Sequence, residues 1–184
     1  VIANNDAEFI NTRFTSGVSI VAKGTENAWT GGYCKFTNCS VNSNANVSRS
    51  FVVGVGASVV INGGYISGMM TARQNCLVEL KNCEWFTSSA TGWLDSTQDL
   101  TQTIELSNVK LSATHSVIAN YTYDWKVKSL KMSGVNFSVP VEFSNRHRMS
   151  NVTTTITDCI GAVSMILDGT SVSRFTINSN TFTS

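Results

Sequence analysis

An eight-residue pattern recurs along this chain and limits what it can fold into more than any other feature. The pattern is apolar, any, apolar, any, a bend-forming Asn, Gly, Asp or Ser, a small residue, any, apolar. It occurs as Cys34-Lys-Phe36-Thr-Asn38-Cys39-Ser-Val41, as Val59-Val-Ile61-Asn-Gly63-Gly64-Tyr-Ile66 and as Val78-Glu-Leu80-Lys-Asn82-Cys83-Glu-Trp85. It returns as Ile104-Glu-Leu106-Ser-Asn108-Val109-Lys-Leu111, as Leu130-Lys-Met132-Ser-Gly134-Val135-Asn-Phe137 and as Phe175-Thr-Ile177-Asn-Ser179-Asn180-Thr-Phe182. Ala7-Glu-Phe9-Ile-Asn11-Thr12-Arg-Phe14 is a weaker copy, and Thr154-Thr-Ile156-Thr-Asp158-Cys159-Ile-Gly161 lacks the last apolar residue. The third positions are spaced by 27, 25, 19, 26, 26, 24 and 21 residues, a loose period near 24. Repeats of this length mean a stacked architecture.

Within one unit, alternation with period 2 puts the first and third positions on one face of a strand. Asn and Gly at the fifth position tolerate the positive φ that a one-residue bend requires. After the bend, the sixth and eighth positions point inward again. A further strand-like stretch precedes several units, such as Ser50-Phe-Val-Val53 or Ser116-Val-Ile-Ala119. Three short strands per repeat predict an all-β fold, a right-handed parallel β-helix (solenoid) of about eight turns. It forms a single domain over 1–184, with turn motifs near 7–14, 34–41, 59–66, 78–85, 104–111, 130–137, 154–161 and 175–182. A helical fold is ruled out because Ser, Thr and Asn are poor helix formers. A β-sandwich also has short, evenly spaced strands, but it leaves the same bend in the same register unexplained.

The 184 residues suit one domain. Lys+Arg is 13 and Asp+Glu is 12, a net charge of +1, which leaves no electrostatic footprint for nucleic acid or an acidic membrane face. Ser, Thr and Asn together make up 63 of 184 residues, so the outward positions are hydroxyls and carboxamides rather than charges. The longest nearly apolar stretch, 51–61, is shorter than the ~20 residues of a membrane span. The chain opens Val-Ile-Ala-Asn-Asn-Asp, without Met and without a basic leader, and reads as a piece of a longer polypeptide.

These repeats resemble the pectin-lyase-like β-helix superfamily, where Asn-bearing bends between the second and third sheets are typical; Asn11, Asn38, Asn82 and Asn108 fit that role. Within it the chain most resembles bacteriophage tailspikes and capsule depolymerases, over about residues 5–184, although none of its motifs is specific to an activity. The resemblance implies a homotrimer, bacterial surface polysaccharide as the partner, no cofactor, and a place in the virion tail after assembly in the host cytoplasm. An extracellular location is the alternative. Cysteine use agrees with assembly in a reducing cytosol. The count of five is odd, and Cys39, Cys83 and Cys159 share the inward sixth position. Two rungs at a ~4.8 Å spacing put even Cys39 and Cys83 beyond the ~7 Å that a disulfide spans. Free buried thiols are therefore expected. No C-x-x-C pair occurs and His is only 2, so no metal site is expected. The five N-x-S/T triplets, at Asn38, Asn46, Asn120, Asn136 and Asn151, are what a chain this rich in Ser, Thr and Asn makes by chance.

The register also predicts which charges become neighbours. The outward second positions read Glu8, Lys35, Val60, Glu79, Glu105, Lys131, Thr155, Thr176, so Glu79 and Glu105 fall on adjacent turns. Paired carboxylates can supply a general acid and its partner; Lys81 and Lys131 can equally neutralise them in a surface ladder. Two further carboxylates, Asp95 and Asp99, lie with Trp93 on the long loop 87–99. Asp95 and Asp99, with Glu79 or Glu105 opposite, are the candidate catalytic residues of a glycoside hydrolase. Trp29, Trp93, Tyr121, Tyr123 and Trp125 fall outside the inward columns and are candidate sugar-stacking residues, whereas Trp85 falls on an inward position. Tyr121, Tyr123 and Trp125 suit an intersubunit contact equally well. Three functions follow: a tailspike domain that binds and depolymerises polysaccharide, a non-catalytic structural or adhesive shaft, and a secreted polysaccharide lyase.

Overall fold

The computed structural model describes residues 2–3, 6–15, 20–22, 32–42, 49–87, 93–95, 102–113, 123–124, 127–146, 152–168 and 174–183. Every element among them is a β-strand, and every strand pairing is parallel.

Three walls surround the core. The first is built from Ala7–Ile10, the leading half of Tyr33–Asn42, the leading half of Ser58–Ser67, Leu77–Lys81, Thr103–Ser107, Ser129–Ser133, Thr153–Thr157 and Arg174–Asn178. Its register sets the third positions of the repeat in one line: Phe9, Phe36, Ile61, Leu80, Leu106, Met132, Ile156, Ile177. The second wall carries the eighth positions in a parallel line, from Phe14 through Val41, Ile66, Trp85, Leu111 and Phe137 to Gly161 and Phe182. The third wall stacks Ile2–Ala3, Ile20–Ala22, Arg49–Val53, Met69–Ala72 and Leu94–Asp95.

The corner between the first two walls is the repeat's fifth position, and there the sequence dictates the backbone. Asn11, Asn38, Asn82, Asn108, Asp158 and Ser179 have φ between 50° and 55°, and Gly63 and Gly134 lie at 76° and 62°. Asn, Asp and Gly enter this left-handed region most readily. Each corner is tied to its neighbours on both sides. The Asn82 amide donates to the Ser107 carbonyl at 3.0 Å, and just past the bend the Lys110 amide donates to the Cys83 carbonyl at 3.0 Å. Exposed carboxamides run along the same corner: Asn82 Nδ2 donates to Asn62 Oδ1 at 3.1 Å, and Asn108 Nδ2 donates to Asn82 Oδ1 at 3.2 Å.

The expected eight turns are corrected to about four. Eight copies of the motif do stack as rungs, but a turn also needs its third side. The five strands of the third wall make four steps, and among the described residues that wall ends at Leu94–Asp95. Farther along, Tyr123–Asp124 and the trailing halves of Asn136–Arg146 and Ile160–Asp168 pair in parallel beyond the second wall, after a register shift between Phe137 and Val141.

Inward side chains from successive rungs stack on one another. Phe9 lies parallel to Phe36 at 5.0 Å between ring centroids, with Phe14 and Phe51 edge-on around them. Trp85 is fully buried, as its inward position predicts, and donates its indole N–H to the Gly68 carbonyl at 2.8 Å. All five cysteines are buried and free, in agreement with the register argument. The last rung is different: Phe175 and Ile177 occupy inward positions but remain 38% and 50% exposed, because no further rung lies over them among the described residues.

Candidate functional site

Alternation turns the second- and fourth-position side chains of the first wall outward, and the parallel register sets them in columns. Glu79 and Glu105 are direct register partners, and Lys131 is the next residue in that column. Like charges directly opposite one another across strands are destabilising. Lysines offset that here. Lys81, two residues from Glu79 on the same strand and face, forms an ion pair with the Glu79 carboxylate. Its ammonium pKa is raised, first by that hydrogen bond, then by the charge of Glu79, and further by the charge of Glu105. The side chain of Glu79 is 21% exposed, so this carboxylate lies down against the wall rather than projecting from it.

The resulting surface is a hollow of about 190 Å³ lined by Glu79, Lys81, Glu105, Lys131, Ser107 and Ser133. The two serines come from the column next to the charged one, on the rungs of Glu105 and Lys131. A direct cross-strand pair occurs on the first two rungs, where Lys35 Nζ meets Glu8 Oε1 at 2.8 Å. Charge compensation is therefore a repeated property of this wall. What distinguishes the hollow is the pair of carboxylates with cations at both margins and hydroxyls beside them.

The chain matches no protein family, no curated protein and no solved structure. What the surface can do rests on its chemistry alone. Carboxylates accept and ammonium groups donate, while serine hydroxyls do both. This set is complementary to vicinal sugar hydroxyls. Among the described residues, no group of three or more His, Cys, Asp or Glu is assembled as for a metal ion. Among them, too, no helix is long and apolar enough to cross a membrane.

The structure brings together Glu79 and Glu105 but not the whole predicted constellation. Asp99, Tyr121, Trp125 and Trp29 lie outside the described residues. Asp95 and Tyr123 contribute backbone to the strands Leu94–Asp95 and Tyr123–Asp124, and their side chains are outside the described set. The backbone register puts Asp95 beside Thr71 on the third wall. That places it on a different wall from Glu79 and Glu105, rather than facing them on one.

Trp93 is corrected from a surface candidate to a core residue. It is 2% exposed, and its indole N–H donates to the carbonyls of Trp85 at 3.0 Å and Ser112 at 3.1 Å. A ring that fills the core and satisfies two backbone carbonyls offers no face to a sugar. Its neighbour Leu94 pairs with Met70 on the third wall, which places Trp93 at the core.

Sequence reasoning missed Phe86. It stands one position beyond the eight-residue motif and so belonged to no column, yet alternation past the inward Trp85 turns it outward. Continuing the period-2 reading by one residue would have found it.

Proposed function

We propose that this solenoid is a tailspike-like, right-handed β-helix domain of the pectin-lyase-like kind. It works as a homotrimer in the virion tail and binds bacterial surface polysaccharide, capsule or O-antigen, on the outer face of its first wall. The observation that carries this reading is the Glu79–Glu105–Lys131 column, set in register with Ser107 and Ser133 around one hollow. A polysaccharide is a linear polymer with repeating hydroxyls, and a stack of rungs presents repeating polar groups at a spacing of ~4.8 Å. The hollow is smaller than the ~300–1,000 Å³ of enclosed small-molecule sites. Its size suits one residue of a longer chain lying across the wall.

Glycoside hydrolysis is the second reading, favoured by one observation: Glu79 and Glu105 are one strand apart. Side chains on adjacent strands can reach the ~5–5.5 Å carboxyl separation of retaining or the ~6.5–9.5 Å of inverting glycosidases, according to their rotamers. In this reading Glu79, held against Lys81, is the carboxylate partner and Glu105 the acid.

Light scattering of the native protein and retardation of its band in gels containing purified capsular polysaccharides and O-antigens test these readings. A trimer retarded by one glycan supports the first, with Glu105→Ala and Lys131→Ala each weakening retardation. Oligosaccharide release by the wild type, abolished in Glu79→Gln and Glu105→Gln, supports the second. A monomer retarded by none of the glycans overturns both and leaves a structural shaft.

A further inference from the structure

The outer face of the second wall carries an aromatic pair that the charged hollow does not use. Tyr65 and Phe86 are half-buried, and their rings stack with centroids 6.3 Å apart at an interplanar angle of 25°. Both face outward, since their neighbours Ile66, Trp85 and Thr87 are the buried ones. Glu84 is the direct register partner of Tyr65, on the same strand as Phe86. Its carboxylate is fixed: Oε1 accepts from the Ser112 hydroxyl at 2.6 Å and meets Lys110 Nζ at 3.3 Å. With 35% of that side chain exposed, the carboxylate is positioned and still open to solvent. A flat pair of rings beside a fixed hydrogen-bond acceptor is not what core packing or solubility requires of an outward column. Elsewhere the same columns hold Arg13, Ser40, Ser67, Lys110, Ser112 and Ile160, none of them aromatic.

We propose that Tyr65 and Phe86 form a stacking subsite for one pyranose ring of the polysaccharide, with Glu84 accepting hydrogen bonds from its hydroxyls. The matching sugar has one ring face that presents only C–H groups. It is neutral or carries an amino group, because a uronic acid would meet the Glu84 carboxylate. The inference rests on the polysaccharide-binding reading and extends it around the corner of the solenoid. Lys81 and Glu84 lie on either side of the single bend at Asn82, so platform and hollow occupy overlapping rungs. Between them run the carboxamides of Asn62, Asn82 and Asn108. One glycan strand can therefore lie across both walls, touching rings on one and charges on the other.

The test uses the full chain and the same panel of purified capsular polysaccharides and O-antigens. Tyr65→Ala and Phe86→Ala are expected to weaken retardation by the bound glycan on the order of tenfold each. Tyr65→Phe, which keeps the stack, should leave it within about twofold of wild type. Hydroxyl-radical footprinting of the wild type, independent of any variant's folding, should show Tyr65 and Phe86 protected when glycan is present. Binding that is unchanged in both alanine variants, with no protection of either ring, overturns the subsite and leaves the first-wall reading standing. A wild type that binds no glycan in the panel overturns both.

Discussion

The side-chain amide nitrogen of Asn108 donates a hydrogen bond to Oδ1 of Asn82, the same residue type one rung away at the same bend. Asn82 in turn donates to Asn62, so its carboxamide serves in both directions while its backbone sits at a φ of 51°. Asn82→Ala removes both bonds and puts a Cβ without compensation in the left-handed region. It is expected to destabilise the fold by about 2–3 kcal/mol. Asn82→Gly keeps the backbone conformation and loses only the bonds, for about 1–2 kcal/mol. Urea denaturation of both variants reads the difference, and equal losses would mean that the backbone conformation contributes nothing.

Gly64 presents the opposite situation, a place where any side chain collides. Its φ is 91°, and a methyl group there would run into the carbonyl of Cys39 on the preceding rung. The obstacle is backbone and cannot rotate away. Gly64→Ala should lower the thermal midpoint by well over ~8 °C, or prevent folding outright. A midpoint within about 2 °C of wild type would show that the rung relaxes.

The buried thiols should be chemically silent in the native state. Burial pushes Cys76 and Cys83 up to about 12 from 9.0, and it also raises Cys34 and Cys159. Since the thiolate is the reactive form, a disulfide-exchange reagent at neutral pH should label none of these four until denaturant is added. The same shifts act on stability. Below pH 9.0 both states hold the proton and nothing is lost. Between pH 9.0 and about 12 the unfolded chain ionises first, so stability should fall as pH rises through that window. Rapid labelling without denaturant would contradict the buried register.

At the acid end the relevant group is Glu84. The Ser112 hydroxyl, and after it Lys110, hold its carboxyl below the ordinary 4.5, against the opposing effect of burial. A carboxylate depressed in the folded state stabilises above its unfolded value and loses that contribution as pH falls through the folded one. The stability advantage of wild type over Glu84→Gln should therefore be present near neutrality and shrink once the pH drops below 4.5. Ser112→Ala and Lys110→Ala should each reduce this dependence, since both groups hold the carboxyl down. A difference that does not change with pH would remove Glu84 from the account.

Thr71 offers a gain instead of a loss. Its hydroxyl is buried on the third wall and finds no hydrogen-bond partner among the described residues. Thr71→Val keeps the shape and removes the stranded polar atom, which should raise stability by about 1 kcal/mol. A lower urea midpoint would show that the hydroxyl does have a partner.

How much of this was readable beforehand depended on which wall a residue occupied. The first two walls could be read because one repeat covers both, and because the bend between them requires residues that accept positive φ. Even Ser179, the least expected of them, lies at 55°. The third wall was legible only in part: Ser50–Val53 reads as a strand and lies within Arg49–Val53 of that wall, but no repeat marks its other strands. Its strands are as short as two residues, as at Leu94–Asp95, and pairing rather than pattern creates them. The repeat therefore predicts rungs rather than closed turns, and it places Trp93 outside the inward columns although the ring is buried. In the candidate site, the adjacency of Glu79 and Glu105 followed from period-2 alternation. The ion pair that Lys81 makes with Glu79 depends on side-chain conformation, which alternation does not specify.

The uniform bend also fixes the size of step by which such a molecule can change. The corners share a left-handed backbone and the strands share one parallel pairing, so a whole rung can be inserted or deleted without altering the pairing of those that remain. A partial rung would shift each side chain beyond it to the wrong face. Evolution of length in this architecture is therefore quantised. Each added unit lengthens both outer faces by one strand spacing and leaves the existing columns in place.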